Sequence, residues 1–305
     1  MRRPSAAVPA MAGAGHVREA GARRRASRGI VRFLQTKPLG AFGGALVVVM
    51  VLVALLAPLL AHFDPIDASA ARRLLPPGPL YWMGTDGAGY DVYSRVVYGA
   101  RVSLYVALVA VALCTILASV VGLLTGYFGG ILDLLVQRVV DAAMSFPWLV
   151  LLLTIVFLLG TSMTNVGMAL GLLNGIRYTR VVRASVMSVK QNQYFEAAKA
   201  IGCGEARIML RHVLPNVAAP IIVVASVTWG AVILSEASLS FLGFGVPPPD
   251  PSWGGMLSGD ARKYFEKAPW IAFFPGLAIS LAVFGFNMLG DALRDVLDPR
   301  MRGTQ

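Results

Sequence analysis

Long uninterrupted apolar runs divide this chain, and short polar segments separate them. Leu39–Ala61, Val102–Phe128 and Ala268–Gly290 contain no Asp, Glu, Lys or Arg, and Val217–Phe241 contains only Glu236. Each exceeds the ~18 apolar residues that mark a membrane-crossing helix. Ala142–Ile176 is uncharged as well, but at 35 residues it is too long for a single crossing, which needs ~20. The segment Gly160-Thr161-Ser162-Met163-Thr164-Asn165 reads as a tight turn that divides it. A fourth crossing then runs from Val166 to Ala184 and carries Arg177, Arg180 and Arg183 towards its end.

Charge decides whether that fourth crossing exists. Cytoplasmic segments collect Lys and Arg. Residues 1–38 hold nine of them and residues 177–216 hold seven, so both belong on one side. That parity requires four crossings between them. Extended to the whole chain, twenty Lys and Arg fall on that side and seven on the other. The pattern predicts an all-α polytopic membrane protein with six transmembrane helices and both termini cytoplasmic. Three regions follow: a disordered basic arm over 1–29, a first transmembrane helix with an external loop over 30–100, and a core of five transmembrane helices over 101–305.

Composition agrees. Hydrophobic residues make up 56% of the chain and charged residues 14%, where soluble domains carry about 25% charged. The net charge of +11 is mostly topology. It does not point to nucleic acid, because no aromatic residues interleave with the N-terminal arginines. Those arginines suit orientation and contact with anionic membrane lipid. Arg23-Arg24-Arg25 precede an apolar run that is too long for a cleavable signal core.

Several chemistries lack their residues. His16, His62 and His212 fall in different segments, and Cys114 and Cys203 are not expected to meet, so no metal site is expected. No phosphate-binding G-x-x-x-x-G-K-[ST] loop occurs, and no G-x-S-x-G elbow. The chain is expected to be neither an enzyme nor itself a binder of ATP.

One polar island stands out, Glu196–Asn216, reading EAAKAIGCGEARIMLRHVLPN. Glu196-Ala197-Ala198-Lys199-Ala200 has strong helix propensity, with Glu196 suited to the positive end of the helix dipole. Gly202 and Gly204 permit a sharp turn. Glu205–His212 is expected to form a second short helix carrying Arg207 and Arg211, which Pro215 halts after Leu214. The result would be a helix–turn–helix arm for a soluble partner; a plain surface loop is the alternative.

Two further segments carry polar residues in unusual places. Met83–Arg101 holds Asp86, Asp91 and Arg95 just before the second crossing. Its spacing lacks the ligands of a calcium loop, so turn and cap roles fit better, with Asp91 as N-cap of the helix that follows. Leu234–Gly254 holds Glu236 inside a crossing, between Ser235 and Ser238, then a proline-rich segment and Trp253. An intramembrane acid either lines or gates a translocation route or is a carboxylate capped by its serine neighbours. Trp253, Tyr264 and Trp270 suit an interfacial aromatic belt.

These segments resemble a known family. The E-A-A, three residues, G, L-P pattern of Glu196, Ala197, Ala198, Gly202, Leu214 and Pro215 resembles the EAA loop of permease subunits in ATP-driven importers. Met83–Arg101 is similar to the GTD-x-x-G-x-D-V-x-S-R…YGAR segment of peptide permeases, with Tyr90 where arginine is common and Tyr93 where leucine is usual. Leu234–Gly254 resembles the E-x-x-L-S-F-L-G stretch of the same family, and Leu289–Arg300 its carboxyl end. The order of segments is that of the C-type permease subunit of dipeptide, oligopeptide or nickel importers.

The resemblance implies a type I ABC importer permease fold in a bacterial inner membrane. It implies a second, B-type permease sharing the pore, two ABC ATPase subunits that bind ATP and Mg, and an extracytoplasmic solute-binding protein. Glu196, Ala197, Ala198, Gly202, Arg207, Arg211, Leu214 and Pro215, within a coupling loop over 190–216, would meet an ATPase. Glu236, Ser235 and Ser238 would serve the path, and Asp86, Asp91, Arg95 and Trp253 the binding protein. An ion-driven secondary transporter is the alternative, as is nickel rather than peptide as cargo.

Overall fold

The computed structural model describes residues 37–297. The basic arm over 1–29 and the Asp298-Pro299-Arg300 end of the carboxyl motif lie outside them. Among the described residues the fold is helical, and the sole β pairing is an isolated antiparallel bridge between Thr85 and Asp91.

Helix α1 (Pro38–Leu55) and the short α2 (Ala57–Leu60) form the first apolar unit, interrupted at Leu56 just ahead of Pro58. Helix α3 (Val92–Phe128) is 37 residues long and begins well before its apolar run, so the expected boundary at 100/101 falls inside a helix. Its start is set by Asp91, whose carboxylate accepts from the Ser94 backbone N at 2.9 Å and from Ser94 Oγ at 2.6 Å. This is the N-cap expected from sequence. Its end is set by Gly129, at φ +66°.

The next apolar stretch departs from expectation. Instead of one crossing from about Ala142, helix α4 (Gly130–Ser145) is followed by α5 (Trp148–Leu159) at a bend of 97°. The break lies at Phe146-Pro147, because proline lacks the N–H and forces the residue before it out of the helical region. Phe146 sits at ψ 145°. Helix α5 has 12 residues, or about 18 Å of rise, short of the ~30 Å hydrocarbon core.

The expected turn after Gly160 is present. Ser162 caps α6 (Met163–Lys190) through Oγ, which accepts from the Asn165 backbone N at 3.1 Å. Helices α7 (Gln193–Ala200) and α8 (Glu205–Ile208) follow. A π-turn, Met209–Val213, joins α8 to α9 (Leu214–Phe241). Short helices α10 (Trp253–Leu257) and α11 (Asp260–Lys263) precede α12 (Trp270–Leu297).

Among the described residues, four helical stretches are long and apolar enough to cross a membrane: α1, α3, the Glu205–Phe241 stretch and α12. The bent α4–α5 pair makes a fifth if it counts as one crossing. Helix α6 has the length, at 28 residues, but is less apolar because of its basic residues.

The largest seam pairs α3 with α6. It is closed by glycines. A Cβ at Gly122 or Gly126 would lie 2.8 Å from the Cβ of Val182 or Val186 on α6. A Cβ at Gly167 or Gly171 would lie 2.9 Å from the Cβ of Val109 or Leu113 on α3. In a bilayer, where apolar burial between helices gains little, such close backbone approach is the main source of association. Helices α9, α12 and α1 pack alongside, and the stacked Trp229 and Phe286 rings, 4.9 Å between centroids, join α9 to α12.

Two ends of this bundle can be told apart. At one, Lys37 before α1 pairs with Asp295 near the end of α12 at 2.6 Å, and the ends of α3 and α6 meet α7 and α8. At the other, Ser94 Oγ near the start of α3 accepts from the Phe63 backbone N just after α2. There Trp270 at the start of α12 donates from Nε1 to the Thr85 carbonyl at 3.1 Å.

Candidate functional site

The Glu196–Asn216 island folds back against the end of the α3–α6 seam. Phe195 and Ala198 on α7, Ile208 on α8 and Val213 in the π-turn are buried together with Leu123, Tyr127, Val182 and Val186. This spacing leaves the other face free. Glu196, Ala197, Gly202, Arg207, Arg211 and Pro215 are exposed, and Leu214 is half-buried. Ile201, at 79% exposure, is the most exposed large apolar side chain of the turn. Gly202 sits at φ +76° with nothing near its missing Cβ, so its conformation and not its size is what the turn requires.

The second helix does not stop at Pro215 as expected. It continues through the wide π-turn into α9, so Glu205–Phe241 forms one helical stretch of 37 residues. Pro215 falls in the first turn of α9, where a missing N–H is tolerated. The Leu214 N–H reaches back to the Met209 carbonyl, and this wider register makes room for the proline ring.

Three contacts invisible in the local sequence tie this end together. The Tyr127 hydroxyl meets the Glu205 carboxylate. Lys190 Nζ donates to the Tyr127 carbonyl at 2.6 Å, placing a cation at the C-terminal end of α3, where the helix dipole favours it. Arg183 grips Asp133 on α4 in a fork, Nε to Oδ1 at 2.5 Å and Nη2 to Oδ2 at 2.6 Å. Arg180 also pairs with Asp141. Two of the three α6 arginines that weaken its apolar character are thereby matched to α4.

At the opposite end, Glu236 is 1% exposed. Its carboxylate accepts from Ser240 Oγ at 2.7 Å and from Ser103 Oγ on α3 at 3.3 Å. Ser252, before α10, reaches Ser240 at 3.4 Å. The capping serines are therefore not the expected neighbours. Ser235 and Ser238 return their hydroxyls to the Ala231 and Leu234 carbonyls of their own helix. Ser238 instead faces an apolar groove shared with Leu257, Gly276 and Ile279, so Glu236, Ser235 and Ser238 do not converge.

The residues expected to meet a binding protein are buried or half-buried. Asp91 is 4% and Trp253 2% exposed, and Trp253 donates from Nε1 to the Val96 carbonyl at 2.9 Å. Trp253 is thus a wedge against Gly99 and not a member of an exposed belt. Asp86 Oδ1 accepts from the Ala88 and Tyr90 backbone N at 3.0 and 2.9 Å, closing the turn. Burial pushes the Asp86 carboxyl above its usual range, against those bonds and against Arg95, 4.0 Å away. The Arg95 guanidinium lies 4.3 Å from the centroid of Tyr90, so the unusual tyrosine supplies a cation–π face. Tyr93, the other departure, joins a ring cluster with His62 and Trp82.

No group of three metal-ligating side chains occurs among the described residues, and both cysteines are free.

Residues 118–303 match the family described as binding-protein-dependent transport system inner membrane component. The chain belongs to that family. Residues 28–77 of this transport component also match the N-terminal TM domain of oligopeptide transport permease C. It is 42% identical over 269 residues to the dipeptide transport system permease protein DppC of Alkalihalophilus pseudofirmus, covering 88% of each chain. It is 37% identical over 276 residues to the probable D,D-dipeptide transport system permease protein DdpC of Escherichia coli, covering 90% of this chain and 92% of that one. The glutathione transport system permease protein GsiD of Pectobacterium atrosepticum is 36% identical over 272 residues, with 89% and 90% covered. The component is thus a multi-pass inner-membrane transport subunit and not an enzyme.

Proposed function

We propose that this chain is one permease half of an ATP-driven peptide importer. The observation that carries the reading is the match along most of the chain to permeases whose names specify dipeptide, D,D-dipeptide and glutathione transport. Those names favour peptide over nickel as cargo. A second, B-type permease completes the pore, and a solute-binding protein delivers cargo from outside. Two ATPase subunits supply ATP and Mg chemistry that this chain has no loop to perform.

Six crossings suit the fold: α1, α3, α5 continued from the α4 elbow, α6, α9 and α12. The Lys37–Asp295 pair favours an even number, because it joins the start of the first crossing to the end of the last. With the basic segments at that end, both termini are cytoplasmic.

The exposed face of α7 and its turn, with Glu196, Ala197, Gly202 and Ile201, suits a groove on an ATPase. Ala198 and Leu214 hold the loop to the bundle, Pro215 sets the first turn of α9, and Arg207 and Arg211 offer charge at the rim. Glu236 serves the path from within the helix packing, by holding α3 and α9 together beside the outer loop. Asp86, Asp91, Arg95 and Trp253 shape the surface that the binding protein meets.

Gly202→Pro tests the coupling role. Proline fixes φ near −65°, whereas Gly202 needs +76°. The variant should insert in the membrane at normal levels and lose ATP-dependent dipeptide uptake. Normal uptake would refute the role, and uptake that is ATP-independent and abolished by an uncoupler would favour an ion-driven secondary transporter.

A further inference from the structure

The cluster at the ends of α3 and α6 contains one residue that touches α6, α7 and α8 together. Tyr127 is next to last in α3 and is 4% exposed. Its hydroxyl meets Glu205, the first residue of α8. Its ring meets Phe195 of α7 edge-on, with centroids 5.9 Å apart. Its carbonyl takes Lys190, the last residue of α6, whose ammonium also lies 5.8 Å from the Tyr127 ring centroid. Both helices of the loop and the ends of two bundle helices therefore converge on one side chain.

These contacts differ in kind. Phe195 and Lys190 would hold the Tyr127 ring and carbonyl equally well with phenylalanine at this position. The hydroxyl serves only Glu205. Glu205 is otherwise exposed, and the turn before it rests on Gly202 and Gly204, so the Tyr127 hydroxyl ties its carboxylate to the bundle, beside the buried Ile208 of α8. Across that hydrogen bond, a displacement of α8 pulls on α3 directly, without passing through the length of α9.

We propose that Tyr127 is a positioning residue for energy coupling, and that its hydrogen bond to Glu205 carries movement of the loop into α3. This rests on the reading that the loop engages an ATPase. Hydrogen bonds to a charged group are the stronger class, and Tyr127 itself is buried.

The test uses the complete importer, reconstituted in liposomes with its binding protein, and measures dipeptide taken up per ATP hydrolysed. Co-purification of the ATPase subunits is scored for each variant. Tyr127→Phe keeps the ring and should lower that ratio by about tenfold, the size expected for loss of one hydrogen bond to a charged group, with the ATPases still bound. Glu205→Ala should match it, and the double variant should be no worse than either. Glu205→Gln still accepts from the hydroxyl and should keep most of the ratio. An unchanged ratio in Tyr127→Phe overturns the proposal while leaving the importer reading intact. So does a loss of uptake and ATPase activity in parallel with loss of the ATPase subunits, which is what mere docking predicts. A wild-type complex with no ATP-dependent uptake overturns the importer reading, and the coupling role falls with it.

Discussion

Gly171 and Gly276 should respond to the same substitution with opposite signs. Both lie inside long helices, α6 and α12. Alanine in place of glycine gains about 1 kcal/mol of helix propensity at either site. At Gly276 nothing lies within 4 Å of the added Cβ, so that gain stands. At Gly171 the Cβ would lie 2.7 Å from the Ala110 carbonyl O and 2.9 Å from the Leu113 Cβ. Both atoms belong to the α3 backbone or its first side-chain atom, so neither can swing away. Helix α6 must then back off along the largest seam in the bundle, and overpacking of this sort costs about 1–3 kcal/mol. Net of propensity, Gly171→Ala should destabilise by up to about 2 kcal/mol, and Gly276→Ala should stabilise by up to about 1 kcal/mol. Thermal unfolding of the purified protein in mild detergent, followed by loss of the monodisperse peak, compares them directly. Equal shifts in the same direction would show that the α3–α6 seam is not closed by glycine contact, and the account of its packing would fall.

Three further outcomes follow from the polar contacts. Glu236→Gln should keep expression and stability within about 1 kcal/mol, since the amide oxygen still accepts from one of Ser103 and Ser240 while the amide nitrogen can donate to the hydroxyl oxygen of the other, whereas Glu236→Lys should block accumulation in the membrane by burying a cation with no acid partner among its contacts. Arg183→Lys should lose the fork on Asp133 that a point charge cannot reproduce; because the pair is partly exposed, a double-mutant cycle with Asp133→Ala should read no more than about 1 kcal/mol. Asp86→Asn should flatten the pH dependence of outer-loop stability. Burial raises the carboxyl above its unfolded value, so the folded loop holds the proton more tightly. That contribution is present below the unfolded pKa and is lost as pH rises through the folded one. Hydrogen exchange of residues 74–91 at pH 4 and pH 7 measures the slope, and an identical slope in wild type and Asp86→Asn would refute it.

Much of this architecture could be read from the chain itself. The four strongest apolar runs all became helices, and the start of α3 was legible because Asp91 and Ser94 make a local cap. The failures have physical reasons too. The Phe146-Pro147 break was hidden inside an apolar run, where hydropathy overrode a proline signal that was present. Pro215 reads as a stop in the sequence, although the wider register of the π-turn just before it makes room for its ring within a continuous helix. The partners of Glu236 could not be found by looking nearby, since Ser103 is 133 positions away. The same holds for Tyr127 and Glu205, separated by 78. Burial of Trp253 was equally invisible, because composition favours tryptophan at an interface and only the fold places Gly99 beneath it.

The wide turn at Met209–Val213 has a geometric consequence. Because the helix is widened there and not broken, Glu205–Phe241 is one continuous helical stretch of about 55 Å, with Glu205 at one tip and Glu236 near the other. A tilt of only about 5° about either end would sweep the opposite tip through roughly 5 Å, the rise of one helical turn. Small angles at the loop thus become displacements comparable to a side chain at the far face, a magnification that two helices joined by a flexible linker would dissipate.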